Sequence, residues 1–378
     1  TDLGIKAARE ALQAIKVAPD AIDAVVAASV AQTSFDAFFL PRHIGLYAGL
    51  PIGVPALLVQ RLCTSGFEAI LQAADQIALG KSQAVLCVGT ESMSRNPISA
   101  FSHRGGFRMG QVEFKDFLWE ATLDTAPKSR MGDTAEELAK RYQITREDTD
   151  AFAATSFARA VSASEAGFFR GEVVPVIPER FERQGYETRE IRLPRGTKSL
   201  EADEHPRPTP LEALAALKPA FKGVQTGGNS SAIVDGAAAV VVTNGKALTG
   251  SPLARIVAGA TVGVPPEIMG IGPAPAIRAV LAKAGLKLGD IARFEINEAF
   301  GAQYIAVERE LGLDRSKVNV NGGAIAIGHP LGATGVRCTY TLARELARSG
   351  GRYGIATACA GGGQGVAILI ENPAARAS

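Results

Sequence analysis

The sequence repeats a pattern at a spacing of about 270 residues, and this internal repeat limits the folds open to the chain. An apolar run at 84–88 has its counterpart at 354–358, and a helical pattern at 65–80 has its counterpart at 334–350. Strands alternate with helices in both copies. The alternation predicts two related α/β halves, with mostly parallel sheets packed across a pseudo-twofold axis.

The two copies differ at their beginning and are separated by a segment that fits neither. The strand-like run 253–260 of the second copy has a counterpart that would lie upstream of Thr1, so we expect the first strand of the first half to be missing from this numbering. Residues 101–214 are rich in Phe and hold the only Trp, which predicts an inserted loop subdomain. The predicted division is an N-terminal half at 1–100 and 215–246, the insertion at 101–214, and a C-terminal half at 247–378.

Two helices are predicted within the insertion, at 133–142 and 146–165. Thr145 precedes the second of them and is followed by Arg146, Glu147 and Asp148. A threonine before first-turn acids is typical of a helix N-cap.

Composition and charge exclude some classes of function for this chain. A formal net charge of +2 argues against a surface built for nucleic acid. The four cysteines show no C-x-x-C spacing and no histidine lies at ligand spacing, so we predict no metal site. Sparse cysteine usage, the lack of an apolar run of eighteen residues and the lack of a signal-peptide pattern predict a cytoplasmic protein without a membrane partner.

Cys63 lies between an apolar strand and a helix, within the segment 59–66. A thiol at a helix N-terminus faces the positive end of the helix dipole, which predicts a lowered pKa and a nucleophilic role. Cys87 lies in an apolar strand and Cys338 in a helix, and we interpret both as buried and inert.

His329 and Cys359 lie in the glycine-rich segments 321–335 and 359–363. His329 precedes a proline, which biases its backbone away from helix. Its ring could act as a general base toward a thiol or as a donor to an oxyanion. The glycines after Cys359 could suggest a phosphate loop, but the Lys-Ser/Thr pair of such a loop is missing. Asn297 follows a strand, where its amide could hold a water in a reaction cavity or cap a helix.

Taken together, these residues resemble the thiolase family, whose members transfer acyl groups to and from coenzyme A. The resemblance runs nearly end to end. It implies a layered α-β-α-β-α sandwich of two α/β halves with an inserted loop domain, assembled as a homodimer or homotetramer. The matching segments are Cys63-Thr-Ser-Gly, Glu91-Ser-Met-Ser, Arg104-Gly-Gly-Phe-Arg-Met-Gly, Lys218-Pro-Ala-Phe, Asn297-Glu-Ala-Phe, the His329 loop and Cys359-Ala-Gly-Gly-Gly.

The resemblance also implies the catalytic roles. Cys63 would take up the acyl group as a thioester, activated by His329. His329 and a water held by Asn297 would form one oxyanion site, and the backbone N–H groups of Cys63 and Gly361 would form a second. Cys359 would carry a proton to or from the α-carbon of the acetyl group.

The substrates follow from the same resemblance. Ser231 would contact the pantetheine arm of coenzyme A, while Phe221, Met131 and Met269 would line the CoA tunnel and the acyl pocket. The implied reaction, part of fatty-acid metabolism and β-oxidation, is reversible thiolytic cleavage of 3-ketoacyl-CoA, or Claisen condensation of two acetyl-CoA. Acyl-CoA and CoA are substrates, and no tightly bound cofactor is expected.

Two alternatives stay open from the sequence. A decarboxylating 3-ketoacyl synthase shares the fold, although a second cysteine followed by glycines favours proton abstraction over decarboxylation. A catalytically silent CoA- or lipid-binding protein is the other. The chain departs from the pattern of biosynthetic thiolases at Gln60, Arg130 and Gly227. Because the loop at Arg130 borders the implied acyl site, the resemblance does not choose an acyl-chain length.

Overall fold

The structure is a computed structural model that describes residues 1–31, 33–101, 103–248 and 250–375; the last three residues of the predicted C-terminal half lie outside it. The strands are β1 (Ala24–Ala28), β2 (Ala56–Val59), β3 (Ala84–Ser92), β4 (Ile98–Ser99), β5 (Lys115–Asp116), β6 (Leu123–Asp124), β7 (Ser129–Arg130), β8 (Glu179–Phe181), β9 (Arg189–Ile191), β10 (Asp235–Thr243), β11 (Arg255–Gly263), β12 (Ile291–Ile296), β13 (Tyr353–Ala360) and β14 (Gln364–Glu371). The α-helices are α1 (Asp2–Ala14), α2 (Leu40–Tyr47), α3 (Ser65–Ala78), α4 (Phe117–Ala121), α5 (Met131–Arg141), α6 (Arg146–Glu165), α7 (Leu211–Ala215), α8 (Pro273–Ala284), α9 (Gly301–Leu311), α10 (Ala324–Ile327) and α11 (Leu331–Ser349).

Two four-stranded sheets carry the predicted repeat. The first has the strand order β10-β3-β1-β2 and the second has the order β11-β14-β13-β12. In each sheet two neighbouring strands of the repeat run parallel, β1 with β3 and β12 with β13. The two halves are therefore related α/β units, as the sequence predicts.

The prediction of mostly parallel sheets is right for the first sheet, where β1 pairs parallel with both β2 and β3, and wrong for the second. β10 runs antiparallel to β3, and β14 runs antiparallel to both β13 and β11. The physical reason lies in the connections. The turn Gly361–Gly363, two of whose glycines have positive φ, joins β13 to β14 as a hairpin, and a hairpin makes its strands antiparallel.

Three apolar cores define five layers. One core joins α1 and α2 to the outer face of the first sheet. A second fills the space between the sheets with side chains of α3 and α11. A third places α8 and α9 on the outer face of the second sheet. The order α-β-α-β-α is that of the predicted layered sandwich.

The two central helices touch at their N-termini. A Cβ atom on Gly66 of α3 would lie 2.8 Å from the backbone nitrogen of Gly335 of α11, and one on Gly335 would lie 2.1 Å from the backbone nitrogen of Phe67. Only glycine allows backbones to approach this closely. The contact holds the loop before α3, which carries Cys63, against the loop before α11, which carries His329.

The predicted insertion contains five short strands and helices α4 to α7 in the residues that the structure describes. α6 covers the predicted range 146–165, whereas α5 spans Met131–Arg141 rather than 133–142. The Thr145 hydroxyl accepts from the N–H of Asp148 at 3.1 Å, which confirms the predicted cap. Phe152 and Phe157 of α6 belong to the core beneath the second sheet, so this segment packs against the C-terminal half.

The far edge of β10 pairs with no strand of the described residues, although β14 at the corresponding place pairs with β11. A groove of about 1790 Å³ lies there, lined in part by α1 and β10. The predicted strand upstream of Thr1 lies outside the sequence and stays a prediction. Within the described part of the chain, no helix is both long and apolar enough to cross a membrane.

Candidate active site

Cys63 lies on a sharp turn between β2 and α3. Leu62 has a φ of 47°, a left-handed conformation that non-glycine residues rarely adopt. The hydroxyl of Ser65 fixes the turn, because it accepts from the N–H of Arg61 at 2.8 Å and donates to the carbonyl of Leu62 at 2.7 Å. Such strand-to-helix turns expose a nucleophile at the end of a sheet.

The pKa of Cys63 differs from the sequence prediction. Burial raises the pKa of the thiol to about 11, although the backbone N–H groups of Gly361 and of Cys63 itself stabilise the thiolate. The prediction of a lowered pKa is wrong because it counted the helix dipole and could not count the protein packed over the site. A thiol of this kind is protonated at neutral pH and needs a base.

Cys359 and Gly361 reach the same place from the second half. Cys359 is buried near the end of β13, and the pKa of its thiol is raised by burial and then by the proximity of Cys63. Gly361 follows β13 and directs its N–H at the Cys63 sulfur. Cys63 alone among the four cysteines is partly accessible to solvent, so it is the thiol that a substrate can meet first.

His329 and Asn297 are buried side by side. The Nε2 atom of His329 lies 3.4 Å from the Nδ2 atom of Asn297, and its Nδ1 atom lies 2.7 Å from the Thr334 hydroxyl oxygen. Asn297 sits directly after β12, where its N–H donates to the carbonyl of Thr357 in β13, two residues before Cys359. Its side-chain oxygen is buried without a partner in the described residues, as suits a group that would hold a water.

His329 is neutral in this setting. Burial, and then the positive charge of Arg337, lower the pKa of the imidazole to about 3. A neutral ring has one bare nitrogen that can accept a proton from a thiol.

The helix α11 begins at Leu331 rather than at the predicted residue 334. Pro330 serves as its N-cap, and the Glu91 carboxylate accepts from the N–H of Gly332 at 2.9 Å.

The four residues predicted to contact acyl-CoA surround the segment 299–300. Met269 packs with Ala299 and Cys359, and Met131 packs against the same cluster. The Phe221 ring meets Phe300 edge-on at 6.4 Å. Ser231 donates its backbone N–H to the carbonyl of Ala299 at 3.0 Å. The structure thus places the two methionines with Cys359 and the other two residues at the adjoining segment, while their contacts with substrate stay predictions.

Sequence reasoning missed two buried side chains that support the site, Glu91 and Thr334. Glu91 is buried and accepts from the N–H groups of Val30, Ala31 and Gly332 at 2.9 to 3.0 Å. It lies in a segment that was noted for the family resemblance, but its partners are remote in sequence. Thr334 follows His329 by five residues within the glycine-rich segment. A hydroxyl so close in sequence was the one signal for a hydrogen bond to the His329 ring.

Other features do not compete with this site. Among the described residues, no group of three His, Cys, Asp or Glu side chains could hold a metal ion. The large groove between α1 and β10 is lined by none of Cys63, Asn297, His329 and Cys359. The arrangement at Cys63 can stabilise a thiolate or an acyl group, because N–H donors are directed at the sulfur and a second thiol lies near it.

Comparison with known proteins agrees with the geometry. The family model described as "Thiolase, N-terminal domain" matches residues 1–246, and the model described as "Thiolase, C-terminal domain" matches residues 250–372. The 3-ketoacyl-CoA thiolase, mitochondrial, of Bos taurus is 46% identical over 99% of this chain and 93% of its own length. An acetyl-CoA acetyltransferase of Pseudomonas aeruginosa is 45% identical over 87% of this chain and 82% of its own length.

Solved structures show the same likeness. The crystal structure of human mitochondrial 3-ketoacyl-CoA thiolase in complex with CoA superposes with a TM-score of 0.91 and 44% identity, over 98% of this chain and 91% of that one. The family descriptions cover nearly the whole sequence, including the segment predicted to be an insertion. The chain belongs to the thiolase family.

Proposed function

We propose that this chain is an acyl-CoA C-acyltransferase that cleaves 3-ketoacyl-CoA with CoA and runs the reverse Claisen condensation through an acyl group on Cys63. The observation that carries the proposal is the meeting of both halves at one sulfur. Cys63 lies close enough to Cys359 to raise the pKa of its thiol, and the N–H of Gly361 is directed at the Cys63 sulfur. The human relative crystallised with CoA supports CoA as the acyl acceptor.

In the first half-reaction, the Cys63 proton passes to His329 and the thiolate attacks the C3 carbonyl of the substrate. The C2–C3 bond then breaks, and its electron pair becomes the enolate of acetyl-CoA. Cys359 gives its proton to C2 of that enolate, which leaves as acetyl-CoA. Donors at the two oxyanion sites stabilise charge on different carbonyl oxygens in these steps.

In the second half-reaction, the thiol of CoA attacks the acyl group on Cys63. The CoA proton replaces the one that Cys359 lost, and His329 returns its proton to the Cys63 sulfur. One thioester replaces another, so the exchange is close to balanced in energy and reversible. Two half-reactions through a shared acyl-enzyme predict ping-pong kinetics.

The test separates the two cysteines. After exposure to acetyl-CoA, intact-protein mass spectrometry should show one acetyl group on the wild-type chain and none on Cys63→Ser. Cys359→Ser should still gain the acetyl group but should not condense it, because it lacks the acid/base. An acetyl group on Cys63→Ser, or condensation by Cys359→Ser, would refute the assignment of roles.

The same samples address the two rivals. Cleavage of acetoacetyl-CoA by CoA, without turnover of a malonyl thioester, distinguishes this activity from a decarboxylating synthase. A wild-type chain that gains no acetyl group would be the silent binding protein. Slow labelling of Cys63 by iodoacetamide would not be informative, since burial keeps the thiol protonated.

We further propose a homodimer or homotetramer in the cytoplasm. Large apolar side chains are exposed at 35–39 and 101–114, and Leu57 is exposed on the end strand β2, as suits contact surfaces. All four cysteines are free thiols, as suits a reducing compartment. Light scattering should give two or four times 39.3 kDa. A monomer mass, or recovery from another compartment on cell fractionation, would refute the respective proposal.

A further inference from the structure

Thr334 lies directly beneath the imidazole of His329. Its hydroxyl oxygen is 2.7 Å from the His329 Nδ1 atom and 3.1 Å from the carbonyl oxygen of Pro330. Thr334 has no solvent exposure, and His329 is 5% exposed. The hydroxyl can therefore exchange neither contact for water.

The hydroxyl has a single proton to place between these two partners. The Pro330 carbonyl accepts from the backbone N–H groups of Ala333 and Thr334, and the Thr334 hydroxyl donates to the same oxygen at 3.1 Å. The Thr334 oxygen is then an acceptor at its other side, and His329 must donate from Nδ1. The opposite arrangement would leave two oxygen atoms in contact without a proton between them.

The contact at the other ring nitrogen of His329, Nε2, favours the same tautomer. Nε2 of His329 faces the amide nitrogen of Asn297, which only donates, at 3.4 Å. A bare Nε2 can accept from that group, whereas an Nε2–H would meet a second donor. Independent contacts at the two ring nitrogens thus favour one tautomer.

We propose that Thr334 is a positioning residue that fixes His329 in the tautomer with hydrogen on Nδ1 and a lone pair on Nε2. The inference rests on the proposed function, in which His329 takes the proton of Cys63. Only a bare nitrogen can do so, and the bare nitrogen must be the one on the substrate side of the ring. Thr334 would thereby act through His329 without touching substrate.

Nitrogen NMR of protein labelled with ¹⁵N-histidine reads the tautomer directly, because protonated and bare ring nitrogens differ in chemical shift. The chain has four histidines, and the signals of His329 are those lost in His329→Gln. In the wild-type chain we expect Nδ1 to carry the proton. Thr334→Val keeps the shape but removes the acceptor, so both tautomers should appear. Thr334→Ser keeps the hydroxyl and should restore the single tautomer.

The rate of acetyl transfer to Cys63 should follow the spectra. We expect Thr334→Val to lose roughly tenfold, a part of the hundredfold or more that a general base contributes, and Thr334→Ser to remain within about threefold of wild type. A proton on Nε2 in the wild-type chain would overturn the inference without any variant, as would an unchanged tautomer in Thr334→Val. Failure of the wild-type chain to accept acetyl would instead refute the proposed function, since the spectra do not depend on turnover.

Discussion

The two halves place different groups at the same position of the repeat, a carboxylate in the first half and a backbone N–H in the second. The spacing of about 270 residues aligns Glu91, in β3, with Gly361, just after β13. Glu91 accepts from the N–H of Gly332 near the start of α11. Gly361 directs its N–H at Cys63, just before α3. Each group thus lies at the N-terminus of the other half's central helix.

In the first half a built-in carboxylate occupies this place. In the second half a glycine leaves it free for the proposed Cys63 thiolate and for the charge that would develop on an acyl group there. Helix N-termini favour negative charge, so the same backbone geometry serves structure in one copy and chemistry in the other.

The two halves also differ two residues earlier in the repeat, at Gly89 and Cys359. Gly89 aligns with Cys359, and a Cβ atom on Gly89 would lie 2.3 Å from the carbonyl oxygen of Gly332. A cysteine could not fit there without moving α11. The first half contributes Cys63, the proposed nucleophile, while the second contributes Asn297, His329 and Cys359.

The largest expected effect comes from making the second half resemble the first. Gly361→Glu places a carboxylate beside Cys63, where its charge opposes both the thiolate and the oxyanion. A Cβ atom at Gly361 would meet only the ends of flexible side chains, Leu62 at 3.1 Å and Met131 at 3.2 Å, so the fold should survive. We expect acetyl transfer to Cys63 to fall more than about a hundredfold, measured by rapid quench and intact mass.

Gly361→Gln is the matched control, because it has nearly the same size and no charge. It should retain at least about ten times the activity of Gly361→Glu. Equal losses in both variants would mean that bulk, rather than charge, separates the halves, and the comparison would fail.

Removing the built-in carboxylate tests the first half. Glu91→Ala leaves the buried N–H groups of Val30, Ala31 and Gly332 without their acceptor. We expect the free energy of unfolding, measured with urea, to fall by about 3 kcal/mol.

Glu91→Gln keeps one carbonyl oxygen in place and should lose only about 1 kcal/mol. If Glu91→Ala were no less stable than Glu91→Gln, the carboxylate would not hold the start of α11. The assignment of a structural role to this position would then be wrong.

Local signals in the sequence predicted local structure well. α6 has its predicted bounds because Thr145 and Asp148 cap it within four residues. The repeat predicted the two halves because strands and helices of each copy follow one another directly. Those signals depend on neighbours along the chain, so a sequence displays them.

The errors arose where distant segments decide. α11 begins at Leu331 because Glu91, some 240 residues away in sequence, stabilises its first turn. The pKa of Cys63 is raised because the second half covers it. β10 runs antiparallel to β3, from which the whole predicted insertion separates it in sequence. None of these is visible from the residue concerned and its neighbours.

The smallest expected effect concerns a buried charge in β12, the strand of the second half that corresponds to β1 in the repeat. The repeat aligns Glu295 of β12 with Val25 of β1, so the second half has a buried acid where the first has an apolar side chain. Burial raises the pKa of Glu295 from 4.5 to about 8, against the opposing effect of Arg337. Because the folded chain then binds this proton more tightly than the unfolded chain, Glu295 contributes most stability below pH 4.5 and loses that contribution as the pH rises to about 8.

Glu295→Gln imitates the protonated acid at every pH. Urea unfolding should therefore show a smaller fall in the free energy of unfolding between about pH 5 and pH 8 for this variant than for the wild-type chain, with the variant the more stable of the two near pH 9. Val25→Ala in β1 is the matched change in the first half, and it should lower stability by the same amount at each pH. Parallel pH curves for Glu295→Gln and wild type would show that folding does not shift the pKa of Glu295, and the predicted difference from Val25 would then be wrong.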